Sequence, residues 1–189
     1  MEQILKITCP IPPSVNHYMA YRVSGGKGRK FVQAYKTQDS IRFEKEFNRI
    51  LNIEIKKQNW ELVEEGYVIV EANWFFESNR RDSNNYHKLI LDCMNQKVFK
   101  DDKQAMERTM NITIDPKNPR AELTIYKSNK QGLFLTEEDK MKFCSNNCHK
   151  CTKKKTSCSI FKKILSNKIS EEFDLTQNLC FKIKNKKSK

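Results

Sequence analysis

Apolar and polar residues alternate over residues 3–9 (QILKITC), the period of a half-buried strand. Pro10, Pro12 and Pro13 then impose extended or turned backbone, each fixing its own φ and biasing its neighbour. Over residues 37–57 the period lengthens, and Phe43, Phe47, Ile50 and Leu51 fall on one stripe of a helix. Thr37 or Asp39 suits its N-cap. Residues 66–76 (GYVIVEANWFF) are β-branched and aromatic, as expected of a buried strand. Residues 84–95 return to a helical pattern, with Leu89, Ile90, Leu91 and Met94 apolar. Residues 106–114 and 121–126 read as strands, and Asp115-Pro116-Lys117-Asn118-Pro119 between them as a hairpin loop. The order β-α-β-α-β-β predicts an α+β domain over residues 1–127, a small mixed β-sheet packed with helices.

Beyond residue 127 the pattern changes in kind. Residues 128–143 read as a linker opening on a polar hinge, 144–181 as a Cys-rich basic module, and 182–189 as a disordered basic tail. Within the module, residues 160–166 and 172–181 hold enough apolar positions for a short helix or strand.

Charge sharpens this division. The chain carries 36 basic and 23 acidic residues, a net charge of +13. Residues 128–189 hold 15 of the basic and 6 of the acidic ones, so the front is near balance. The excess favours an anionic partner, nucleic acid or a membrane surface. No apolar run approaches the ~20 residues that span a bilayer. The N-terminus lacks the apolar core of a signal peptide, so a soluble cytoplasmic protein is expected. Cys9 and Cys93 sit alone among apolar neighbours, and the other five of the seven cysteines lie in the tail. That clustering suits a metal site in a reducing compartment better than a secreted disulfide framework.

Candidate chemistry concentrates in Arg80-Arg81-Asp82-Ser83-Asn84-Asn85-Tyr86-His87-Lys88 and Asp92, followed one loop later by Asp101-Asp102. Helical spacing would put Asn84, Asn85, Lys88 and Asp92 on one face. Carboxylates from two segments beside a lysine and two arginines suit chemistry assisted by Mg²⁺ or Mn²⁺ on a phosphate, since such ions take oxygen ligands. A surface network of ion pairs, with Asp82 capping a helix, is the plainer reading of the same spacing. His87 should pack or face solvent rather than catalyse, and Trp74, Phe75 and Phe76 should be core. His17 suits a loop hydrogen bond or DNA, and Lys27, Arg29 and Lys30 either grip phosphate or are a solvated loop.

The stretch resembles the RusA family of Holliday junction resolvases. That pattern is a basic residue, then Asp-x-Asp-Asn-x-x-Lys-x-x-x-Asp, then a loop ending in Asp-Asp. This chain has Arg81, Asp82-Ser83-Asn84-Asn85, Lys88, Asp92 and Asp101-Asp102, with a Pro-Pro-Ser-Val-Asn-His run and an Asn-Pro-Arg lead also similar. The resemblance covers roughly residues 3–127. It implies a metal-dependent endonuclease acting as a homodimer on four-way DNA junctions. It also implies metal-binding carboxylates at Asp82 and Asp102, and an essential Lys88 near the scissile phosphate. The chain departs from the pattern at Asn84, where the family commonly has aspartate. An amide oxygen still ligates Mg²⁺ but adds no charge, so metal affinity should fall unless Asp101 or Asp92 compensates. A noncatalytic branched-DNA-binding descendant is the alternative. Arg80 and Arg81 are further candidates for DNA contact.

The resemblance does not reach the cysteine tail. Cys144-x3-Cys148-x2-Cys151-x6-Cys158 supplies four thiols, the number tetrahedral zinc takes, with His149 as a substitute ligand. An iron–sulfur cluster or unliganded thiols are the other readings. Lysines around these thiols would add phosphate contacts that depend on salt but not on sequence.

Overall fold

The structure is a computed structural model that describes residues 3–26, 28–153 and 155–184. Lys27 of the basic loop, Lys154, and residues 185–189 of the expected tail lie outside them. The chain divides into two compact units, Met1–Lys127 and Ser128–Lys189.

The first unit is α+β. Its elements are β1 (Ile4–Cys9), α1 (Val15–Tyr18), β2 (Met19–Ser24), β3 (Phe31–Lys36), α2 (Gln38–Lys57), β4 (Val68–Phe76), α3 (His87–Met94), β5 (Ala105–Ile114) and β6 (Arg120–Lys127). A mixed sheet orders its strands β1-β6-β4-β5, with only the β4–β5 pair parallel. Register aligns Leu5, Ile7 and Cys9 of β1 with Ile125, Leu123 and Ala121 of β6, and these with Val70, Ala72 and Trp74 of β4. All are buried, because alternate residues share one face and that face carries the core. Phe43, Phe47 and Leu51 of α2 and Leu89, Ile90 and Met94 of α3 complete it. Thr37 caps α2, its Oγ1 accepting from the Ser40 amide at 3.3 Å.

Three expectations change. Strands β5 and β6 do not form a hairpin, because β4 lies between them and pairs with both. The turn chemistry at Asp115–Pro119 reverses the chain but does not specify a partner. The stretch expected as one helix over 84–95 is a 3₁₀ turn (Ser83–Asn85) followed by α3, broken at Tyr86 with φ −115°. Asn84 and Asn85 therefore do not continue the α3 face that carries Lys88. Finally, the chain folds an antiparallel β2–β3 hairpin, absent from the expected order, around the basic glycine loop. Gly25 at φ +127° is required there, since a Cβ would sit 2.0 Å from the Arg29 carbonyl oxygen.

The second unit contains α4 (Glu137–Phe143), a π turn (Cys144–Cys148), α5 (Ser159–Leu165), and a two-stranded ribbon of β7 (Phe173–Asp174) and β8 (Leu179–Cys180). Its small core gathers Phe134, Phe143, Cys144, Ile160, Phe161, Ile164 and Phe173. Residues 128–143, read from sequence as a linker, thus supply a capped helix and two core phenylalanines. No described helix is long and apolar enough to cross a membrane.

Candidate active site

Helix α3 builds the site. Its apolar positions bury toward the sheet, which turns Lys88 outward and leaves its ammonium accessible. Lys88 Nζ donates to Asp92 Oδ1 at 2.8 Å, one helical turn on, and to Asp102 Oδ2 at 2.9 Å. The other oxygen of Asp92 accepts from the Tyr18 hydroxyl at 2.9 Å. Asp102, Lys88, Asp92 and Tyr18 thus form one hydrogen-bonded chain reaching from α1 to the loop before β5.

The electrostatics follow from this contact. Hydrogen bonds to Asp92 and Asp102 raise the Lys88 pKa above the ordinary lysine value. The Lys88 ammonium in turn holds the Asp102 carboxyl below the usual carboxylate range. Lys88 is therefore a fixed cation and Asp102 a fixed anion near neutral pH. Burial raises the Tyr18 hydroxyl pKa, as does its bond to Asp92.

Asp82 belongs to a second cluster. It N-caps the 3₁₀ turn, Oδ1 accepting from the Asn84 amide at 3.1 Å and Oδ2 from Asn85 Nδ2 at 3.2 Å. That turn packs beside both α3 and β5, and the turn after Asp101 packs on α3, so both clusters border the same helix. Asp101 caps its own 3₁₀ turn (Asp102–Gln104) in a capping box with Gln104. Among the described residues, no three His, Cys, Asp or Glu side chains are gathered as a ready metal cage. The donor chemistry still fits a hard cation, because Mg²⁺ needs only one or two carboxylates besides substrate phosphate.

The remaining candidates separate by partner. Arg81 pairs with Glu77 and donates to the Tyr86 hydroxyl at 3.1 Å, so it braces the loop, whereas Arg80 is exposed. Arg29 and Lys30 are exposed at the β2–β3 turn. His17 bonds the Ser14 hydroxyl at 2.9 Å, a loop contact. His87 is buried, edge-on to Trp74 and 3.0 Å from Thr109 Oγ1. Trp74 and Phe76 are core, and Phe75 lies under the Arg120 guanidinium at 3.7 Å. Tyr18 escaped sequence reasoning, since nothing near it in the chain marks a partner 74 residues away.

A family model described as Endodeoxyribonuclease RusA matches residues 10–126, more than half of the chain. The chain belongs to the RusA family. The match ends at the boundary of the first unit, so the Lys88 network lies inside the RusA region and the cysteine-rich unit outside it. Among curated proteins, none matches the chain.

Proposed function

We propose that this RusA-family chain is a structure-selective, divalent-metal-dependent endonuclease that resolves four-way DNA junctions by paired nicks as a homodimer. The observation that carries the reading is Lys88 held between Asp92 and Asp102 at the motif positions of an endodeoxyribonuclease family. Asp82, Asp102 and the amide oxygen of Asn84 would hold Mg²⁺ or Mn²⁺. When bound, such a cation polarises the phosphate and makes water a better nucleophile.

The chain's own residues supply the rest. Hydrolysis adds water to phosphorus and expels a 3′ or 5′ oxygen, and negative charge builds on the phosphoryl oxygens. Lys88, permanently protonated, stabilises that charge and is excluded as a base. Asp92, anchored by Tyr18, positions the Lys88 ammonium. Arg80, Arg29 and Lys30, exposed and cationic, hold backbone phosphates without reading sequence.

Asn84 favours a second reading, a descendant that binds branched DNA without cutting it. Cleavage of a labelled synthetic four-way junction in Mg²⁺ or Mn²⁺ separates the two. The nuclease reading expects symmetric paired nicks by the wild type and none by Asp102→Asn, which still binds. Tight binding without cleavage, with cutting gained in Asn84→Asp, would establish the noncatalytic descendant instead.

A further inference from the structure

The second unit poses a stability problem. It folds 62 residues around a core of seven buried side chains, with strands of two residues each. Units of this size generally need a disulfide or a metal in addition to their core. Its cysteines are not paired as disulfides.

Three separate pieces of chain bring thiols to one place. Cys148, Cys151, Cys158 and Cys180 line a single small cavity of about 20 Å³, room for roughly one water-sized body. Cys148 comes from the π turn, Cys151 from the loop after it, Cys158 from the cap of α5, and Cys180 from β8. The buried Asn147 side chain fixes this convergence. Its Oδ1 accepts the Cys180 amide at 2.9 Å, and its Nδ2 donates to the Phe143 and Asn178 carbonyls at 3.0 and 2.9 Å. The Thr152 amide donates to the Lys184 carbonyl at 2.8 Å, tying the Cys151 loop to the chain just beyond Cys180.

We propose that Cys148, Cys151, Cys158 and Cys180 form a structural zinc site. The ligand set differs by one residue from the consecutive run in the sequence. Cys144 is buried in the core, does not line the cavity, and hydrogen-bonds to Cys148 from behind. Cys180, distant in sequence, takes its place. His149 is exposed and does not line the cavity.

The surroundings suit thiolates. Backbone N–H groups of Lys153 and Lys184 reach the Cys151 sulfur, and that of Lys182 reaches the Cys180 sulfur. The Lys153 and Lys182 contacts each come from two residues on, which curls the chain around the sulfur. Lys153, Lys155 and Lys182 also line the cavity and offset the net charge of four thiolates around one divalent ion. Binding expels the thiol protons to solvent and draws the sulfurs to ~2.3 Å from the ion. Room for a single small body favours one zinc over a four-iron cluster.

The test measures metal content of the purified full chain and the absorption of its cobalt(II)-substituted form. The site is supported by stoichiometric zinc and a tetrahedral thiolate spectrum, both kept in Cys144→Ser and lost in Cys180→Ser. Because Cys180→Ser could simply unfold the unit, Cys180→His provides the control. It should retain the metal and shift the cobalt spectrum to that of a mixed nitrogen and sulfur site. A metal-free chain, a coloured iron-containing chain, zinc lost in Cys144→Ser but kept in Cys180→Ser, or an unshifted spectrum in Cys180→His would each overturn the assignment.

Discussion

His87 illustrates how burial sets the behaviour of a single residue. Desolvation lowers its pKa below the ordinary histidine value. The folded chain then binds fewer protons than the unfolded chain below about pH 6.5, so stability is full above that value and declines as pH falls through it. Urea midpoints taken from about pH 7.5 down to about 5.5 should fall more for the wild type than for His87→Gln. Equal slopes would mean that His87 is not the group responsible. Lys88 has the opposite character. Held as a cation by two carboxylates, it should act through charge, so Lys88→Met is expected to cut junction cleavage by about 10²–10³-fold with binding little changed. Single-turnover cleavage beside a binding isotherm checks this, and parallel loss of both would assign Lys88 to binding. The Lys88–Asp92 contact was legible in the sequence as an i,i+4 pair. Asp102 was legible through its motif alone, because no local spacing dictates that its loop returns to α3.

At the level of elements, Asp101 and Asp102 are adjacent but do different work. The Asp101 side chain accepts from the Lys103 amide at 3.0 Å while its own amide donates to Gln104 Oε1 at 3.0 Å, so it closes the turn that presents Asp102. Asp101→Ala should cost about 1 kcal/mol of stability, the usual loss for an N-cap. Asp101→Ser, which can still cap, should regain most of the stability and the cleavage activity. Stability restored without cleavage would instead make the Asp101 carboxylate a metal ligand. The helix α2 was readable because Phe43, Phe47 and Leu51 repeat on one buried stripe under a Thr37 cap. The β2–β3 hairpin was not, since Tyr21, Val23, Phe31 and Val32 are exposed and no burial period distinguishes its faces. The partner of β5 was equally hidden. A turn-rich loop announces that the chain reverses, whereas insertion of β4 between β5 and β6 depends on the whole sheet.

The whole molecule has to place two active sites for paired nicks, and its sheet leaves a surface that fits a second copy. In β5, Ile112 pairs with Trp74 and Ile114 with Phe76. Register partners point to the same side of a sheet, so both isoleucines lie on the face that buries Trp74 and Phe76. Yet they are 49% and 45% exposed, because the cover that shields β4 does not extend to the edge strand. An apolar edge strand also invites pairing by another chain. A second copy seated there would bury aliphatic side chains worth ~1.5–3 kcal/mol each when fully covered. A twofold assembly of this kind would match the symmetry of a four-way junction. Sedimentation of the wild type is therefore expected to give a dimer, and the double variant Ile112→Lys, Ile114→Lys a folded monomer. Since each protomer keeps its own Lys88, Asp92 and Asp102, that monomer should still nick single strands slowly while losing the coupling between paired cuts. A wild type that sediments as a monomer while cutting in pairs would sink the dimer itself, and a double variant that stays dimeric would place the interface elsewhere on the first unit.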